Sequence, residues 1–376
     1  MYIHQHLLDT LHQVVVPNKV VIIYGPRRTG KTTLLTEFLK TEENYLLVSG
    51  EDLDAQYYLS SQSIEKLKSF VGQRSLLVID EAQVIPQIGL NLKLIVDHCS
   101  GIKVIATGSS AFDLANSLGE PLTGRKHTLR MFPLSQMEIG TIETQPQTKS
   151  NLESRLIYGS YPEVVLNQSI HNKQRYLNEL ISDYLYKDIL ALDGIKKSKK
   201  MTQILQLLAF QIGKEVSLSE IGRQVGLNKD TIERYIELLE KCFVLVRLSG
   251  FNRNLRKEIA KQSRYYFYDV GVRNAIINQF NPLALRNDIG ELWENYIIME
   301  RLKKQAYQGL FSNNYFWRTY DQQEIDWVEE RQGELYAYEI KWNSAVKVKE
   351  PPAWRTGYPN SHFTLINRDN YLEFIL

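Results

Sequence analysis

Two rhythms of apolar residues alternate along the first part of the chain. Unbroken apolar runs at residues 20–24, 45–48, 76–79 and 104–106, the last inside an expected strand over 103–107, are separated by stretches in which apolar positions recur every three or four residues. Short runs without polar alternation predict strands buried on both faces, as in a parallel sheet, and the recurring stretches predict covering helices. A polar helical segment is expected over 52–72, a helix over 89–99 and a further strand over 128–131. Residues 145–151 are polar, contain Pro146 and lack a period, which reads as a linker. Helical patterning then runs from 152 to 192 and is followed by the charged turn Lys196-Lys197-Ser198-Lys199-Lys200. Two short helices are predicted around Gly226, with a strand at 244–248. The last part reads as a helix over 287–305 and strands over 315–320, 324–330, 335–342 and 363–366. The pattern divides the chain into 1–144, 152–280 and 281–376, all of the α/β or helical kind.

Composition narrows this picture without redirecting it. At 376 residues, 43% apolar and 23% charged, the chain has the makeup of an ordinary soluble protein with cores for two or three domains. A formal net charge of +2 does not imply a polyanionic partner, so any nucleic-acid surface must be local. The two cysteines, Cys99 and Cys242, lie in apolar helical stretches and read as structural thiols in a reducing compartment. No apolar run has transmembrane length, and residues 1–13 form an amphipathic pattern without a basic leader. A cytoplasmic protein with no membrane partner is expected.

The first chemistry lies after residues 20–24. Gly25-Pro26-Arg27-Arg28-Thr29-Gly30-Lys31-Thr32 fits G-x-x-x-x-G-K-[ST], with a strand entering and a helix leaving through Thr33. Its glycines let successive amides turn inward, and the positive end of the helix faces the same hollow. The set from Gly25 to Thr33 is the expected ATP-binding loop. Lys31 would reach the β- and γ-phosphates, and the Thr32 hydroxyl would ligate Mg²⁺. The strand at 76–80 ends in Asp80-Glu81, the Walker B pattern: Asp80 would hold Mg²⁺ through its water shell and Glu81 would polarise the attacking water. Ser109, at the tip of the next strand, is the candidate γ-phosphate sensor, with a helix cap as its alternative role. Arg125 is the candidate cation for transition-state charge, in cis or from a neighbouring copy in a homo-oligomer; a plain surface arginine is the alternative.

These motifs, with Asp80-Glu81-Ala82-Gln83, Thr107-Gly108-Ser109-Ser110, Gly124-Arg125 and Pro133-Leu134-Ser135, resemble the prokaryotic AAA-type ATPases fused to a C-terminal domain of unknown function. Further matches are Tyr161-Pro162-Glu163-Val164-Val165 and residues 183–189, so the resemblance runs nearly end to end. Ser160 stands where that family more often has a second glycine. The resemblance implies a P-loop NTPase parallel sheet, ATP and Mg as cofactors, and ATP hydrolysis.

Beyond the first domain, residues 217–241 read as a helix-turn-helix followed by strands, hence a winged helix. Its second helix holds three basic and four acidic residues, a net charge of −1 that does not favour phosphate. The following hairpin carries Arg247, Arg253, Arg256, Lys257, Lys261 and Arg264 against Glu258, a net charge of +5 that would touch a nucleic-acid backbone. DNA binding and mere packing both remain open. In the last domain Glu339 and Lys341 leave one face of a strand, with Asp326 on its expected hairpin partner. This resembles the restriction-endonuclease-like core, PD-(D/E)XK, although no proline precedes Asp326. The resemblance implies a small α/β nuclease-like domain in which Asp326, Glu339 and Glu294 ligate Mg²⁺ while Lys341 activates water. The combined expectation is an ATPase whose nucleotide state controls a DNA-binding or nuclease-like C-terminal region; a regulatory switch with an inactive nuclease fold is the alternative.

Overall fold

The computed structural model describes residues 2–109, 122–182, 198–252 and 263–376. The N-terminal apolar runs form strands β1 (Val20–Tyr24), β2 (Tyr45–Ser49), β3 (Leu76–Asp80) and β4 (Lys103–Gly108), joined by β5 (Lys126–Arg130). All five are parallel, in the order β2-β3-β4-β1-β5. The three inner strands β3, β4 and β1 are the most apolar because helices cover both faces; Val21, Ile23, Leu77 and Ile105 are fully buried. The expected helix over 52–72 is two helices, Leu53–Leu59 and Ile64–Val71, since Ser63 caps the second by accepting the Lys66 amide. The strand expected at 128–131 begins two residues earlier.

Residues 145–151, expected as a linker, are instead the first turns of the helix Gln145–Tyr158. Pro146 stands in the first turn, where its missing N–H costs nothing, and Thr144 with Gln147 forms a capping box. Helices Pro162–Leu166 and Ile170–Leu180 follow. The matching residues 183–189 lie outside the described residues. Further on come helix Ser198–Phe210, strand β6 (Glu215–Val216), helices Leu218–Val225 and Lys229–Lys241, and strands β7 (Leu245–Gly250) and β8 (Ser263–Phe267). Gly226 takes a left-handed φ of 68° at the corner between the two helices.

The last elements are helices Val270–Ile276 and Ile289–Gln308, strands β9 (Asn313–Arg318), β10 (Glu324–Arg331), β11 (Glu334–Ile340) and β12 (His362–Ile366), and helices Pro352–Gly357 and Tyr371–Ile375. One seven-stranded sheet runs β12-β11-β10-β9-β7-β8-β6. Because β7 pairs with β9, Ser249 opposite Tyr315, the middle hairpin and the C-terminal strands share a sheet. The chain therefore forms two compact units, Tyr2–Leu134 with Lys241–Phe243, and Ser135–Glu240 with Val244–Leu376. The change from one unit to the other falls at 134/135.

The Tyr161-Pro162 motif has a structural explanation. The Asp269 carboxylate accepts the Ser160 amide at 2.7 Å and caps its own helix through the Gly271 and Val272 amides. A Cβ on Gly159 would lie 1.9 Å from an Asp269 oxygen. Glycine is needed at 159, while Ser160 contributes only its backbone, so its departure from the family pattern is tolerated.

Candidate functional site

The P-loop spans the gap between β1 and the helix Lys31–Leu39, which starts from Gly30 at φ 98° without a side-chain cap. A Cβ on Gly25 would meet the Met131 carbonyl oxygen at 2.2 Å, so that position demands glycine. Pro26 and Thr29 brace the loop, Thr29 Oγ1 donating to the Pro26 carbonyl at 2.9 Å, while Arg27 and Arg28 are exposed. Lys31 is buried and donates Nζ to the carbonyls of Gly25 and Pro26 at 3.0 and 2.9 Å. Burial pushes its pKa down to about 8, against the opposing pull of Glu81 and Asp80.

Asp80 ends β3 where the parallel strands point their C-terminal edge, the edge at which ligands bind in open α/β sheets. Thr32 Oγ1 donates to Asp80 Oδ2 at 2.7 Å, and Thr107 Oγ1 donates to Asp80 Oδ1. A hydroxyl and a carboxylate in contact, both oxygen donors, suit a hard cation; Thr32 and Asp80 are the residues that would hold Mg²⁺ with a bound triphosphate. Glu81 follows in a left-handed conformation, φ 53°, its amide donating to Thr107 Oγ1 at 3.1 Å. Gln83 Nε2 donates both to Glu81 Oε2 and, at 3.3 Å, to Ser109 Oγ. β4, which carries Ser109 at its end, lies between β1 and β3 as expected. The helix-cap alternative for Ser109 falls on residues 110–121, outside the described residues.

Arg125, expected as a cation acting in cis or from a neighbouring copy or else as a plain surface arginine, lies away from this chain's own P-loop. Its carbonyl accepts the Val20 amide at the start of β1, so it stands at the edge of the sheet opposite the P-loop. The length of β1, about 16 Å at the usual rise, separates them. Its guanidinium pairs with Asp97 at 2.6 Å. Arg130, opposite Tyr24 in the register, is the arginine of β5 that stands at the P-loop edge. Sequence reasoning also missed Thr107 and Gln83, although both lie inside motifs it singled out.

In the second unit, the helix Ile289–Gln308 and strands β10 and β11 bring Glu294, Asp326, Glu339 and Lys341 to one site beside a cavity of about 590 Å³. The antiparallel register of β10 and β11 sets Asp326 beside Glu339 one step beyond the Trp327–Tyr338 pair. Asp326 Oδ2 accepts the Ile340 amide at 3.0 Å and faces Lys341 Nζ at 3.4 Å, and Lys341 pairs with Glu339 at 2.6 Å. Burial, with Asp326 adding to it, pushes Glu294 up to about 8 and Glu339 up to about 7. Burial would lower Lys341, but Asp326 and Glu339 outweigh it and raise it. Tyr266 donates to Glu294 at 2.6 Å.

The expected Mg²⁺ ligands Glu294, Asp326 and Glu339 stand about one site, and the Arg264 guanidinium lies against two of them, Glu294 and Asp326. Among the described residues no three carboxylate, histidine or cysteine side chains are grouped as a metal ion would need. Lys341 stands beside Asp326 and Glu339, where the motif places it, and Arg264 beside Asp326 and Glu294, where no sequence motif places it. Of the six cations of the expected positive hairpin, Arg247 pairs with Glu240 at 3.0 Å and Arg264 is buried against acids. Arg253, Arg256, Lys257 and Lys261 lie outside the described residues.

Comparison with known proteins matches three successive regions of the chain. Residues 17–140 match the family described as an AAA domain, residues 149–283 a domain of unknown function, DUF8612, and residues 289–368 another, DUF4143. An uncharacterized protein of Mycobacterium tuberculosis (strain H37Rv) is 25% identical over 333 residues, covering 88% of this chain and 71% of the relative. One from Haemophilus influenzae is 24% identical over 373 residues, covering 92% and 88%. A solved Walker-type ATPase of Pyrococcus abyssi superposes with a TM-score of 0.48 at 16% identity, covering 72% of this chain and 93% of that one. The chain thus carries an AAA-type P-loop ATPase domain and a C-terminal DUF4143 domain. No helix among the described residues is long and apolar enough to cross a membrane.

Proposed function

We propose that this chain is a Mg²⁺-dependent ATP-binding and ATP-hydrolysing protein whose nucleotide state controls a nucleic-acid-binding, nuclease-like C-terminal region. The observation that carries the first half is the contact of Thr32 with Asp80 at 2.7 Å beneath the Lys31 loop. The loop amides and Lys31 bind the β- and γ-phosphates, giving up the carbonyl contacts of Lys31 for phosphate oxygens. Thr32 and Asp80 would hold Mg²⁺, which would supply charge neutralisation for the triphosphate. Glu81 accepts the proton of the attacking water, oriented by Gln83, and Ser109 reaches toward the γ-phosphate.

For the second half, the order helix, β6, helix, helix, β7, β8 supports a winged-helix reading of residues 198–267. The strand pair bearing Asp326 and Glu339-x-Lys341 supports a restriction-endonuclease-like reading of the DUF4143 domain. A second reading, a nucleotide-dependent switch whose C-terminal domain binds without cutting, is favoured by the missing carboxylate grouping. Two assays test these readings. Glu81→Gln should bind ATP and turn it over about 10²- to 10⁴-fold more slowly, and Lys31→Ala should lose both; ATP turnover by Lys31→Ala would refute the ATPase reading. DNA cleavage with Mg²⁺ or Mn²⁺ that depends on ATP and is lost in Asp326→Ala would support the nuclease reading. No cleavage on any DNA or RNA form would support the switch.

A further inference from the structure

Arg264 begins β8, where it stands opposite Leu248 of β7 and Glu215 of β6. Its side chain, 5% exposed, reaches across into the acids of the C-terminal domain. One terminal nitrogen lies 3.4 Å from Asp326 Oδ1 and 3.6 Å from Glu294, and the other is 2.9 Å from Glu324. The guanidinium lies over the Phe316 ring, 4.7 Å from its centroid, which fixes the plane of the fork. Both oxygens of Asp326 are engaged, one by Arg264 and the other by the Ile340 amide and Lys341. Glu339 is 5% exposed and keeps one oxygen, Oε2, buried without a partner.

We propose that Arg264 stands in for the divalent cation of this site, so that the carboxylate cluster takes up no metal while Arg264 is in place. A divalent cation needs the oxygens of several carboxylates at about 2.0–2.6 Å, and the Asp326 oxygen it would use is the one facing the guanidinium. Two cations cannot share that oxygen without strong repulsion, and burial prevents water from screening it. Entry of a metal and withdrawal of Arg264 are therefore one event. Since Arg264 belongs to the hairpin of β7 and β8, whatever displaces that hairpin would open the acids to a metal. This inference rests on the nuclease-like reading of the C-terminal domain and not on ATP hydrolysis, and it concerns an exchange of cations at Asp326 and Glu294.

The test is Mn²⁺ binding to the full chain without nucleotide, followed by electron paramagnetic resonance. Wild type and Asp326→Asn should bind Mn²⁺ equally, because Asp326 holds no metal. Arg264→Met should gain a site at least tenfold tighter than any in the wild type, and the double variant Arg264→Met/Asp326→Asn should lose it. Arg264→Lys, which keeps the charge, should exclude Mn²⁺ as the wild type does. A wild-type site that disappears in Asp326→Asn would overturn the proposal, as would a folded Arg264→Met with no added site. If Arg264→Met fails to fold, the wild-type, Asp326→Asn and Arg264→Lys comparison decides: equal binding in all three supports the proposal, and loss in Asp326→Asn alone refutes it.

Discussion

Gln83 is the side chain that joins the two chemical ends of the P-loop site, because its amide donates to both Glu81 and Ser109. Truncation to Gln83→Ala removes a hydrogen bond to a carboxylate without touching the loop that grips the phosphates. A hydrogen bond to a charged group contributes about 1.5–3 kcal/mol. If that energy orients the base in the transition state, its loss lowers kcat by roughly 10- to 150-fold at about 1.36 kcal/mol per factor of ten. ATP affinity, set by Gly25 to Thr32, should change less than about threefold. Steady-state phosphate release gives kcat, and calorimetric titration with ATP and Mg²⁺ gives the dissociation constant. A cycle with Glu81→Gln isolates the coupling, since Gln83→Ala should add nothing once the carboxylate is gone. An unchanged or increased kcat in Gln83→Ala would refute the positioning role, as would an equal loss in the Glu81→Gln background.

Three further outcomes follow from particular contacts. Arg125→Ala should leave ATP turnover within about twofold of wild type, and thermal melting should show a loss of at most about 1 kcal/mol for a surface ion pair. Gly25→Ala places a Cβ against the Met131 carbonyl, so ATP affinity measured by calorimetry should fall by at least about tenfold, with the β1 end displaced. Arg301 grips buried Glu329 with two hydrogen bonds, 2.6 and 2.9 Å, so Arg301→Met should cost about 3–5 kcal/mol in a urea titration. Burial alone would raise Glu329, but the Arg301 bonds outweigh it and hold it below the ordinary 4.5. Its stabilisation is therefore complete above that value and is lost as pH falls through the lower folded pKa. Wild-type stability should show this acid loss, and Arg301→Met should not.

What could be read from the chain divides along contact distance in sequence. The P-loop was legible because eight contiguous residues carry its backbone path, its lysine and its hydroxyl, and the strand before it announces the parallel sheet. Residues 145–151 read as a linker because they are polar and contain Pro146; a proline two positions past a capping Thr144, in the first turn, is compatible with a helix start. For Arg125 the sequence left a cis role, a role from a neighbouring copy and a plain surface position open. Arg125 precedes a strand, and in a parallel sheet the residue before a strand stands at the edge away from the ligand, so strand direction alone argues against a cis role. The carboxylates of the C-terminal site were found from their two-residue spacing, yet their state was not. Arg264 is 62 positions from Asp326 and 60 from Glu324, and in sequence it reads as one more cation of a basic hairpin. Only the β7–β9 pairing, which fuses the hairpin to the C-terminal strands, turns that cation inward. A positive count over a segment is therefore evidence for a phosphate-binding face only when the acids of its sheet partners have been subtracted, and here Arg264 is spent on Glu294, Glu324 and Asp326.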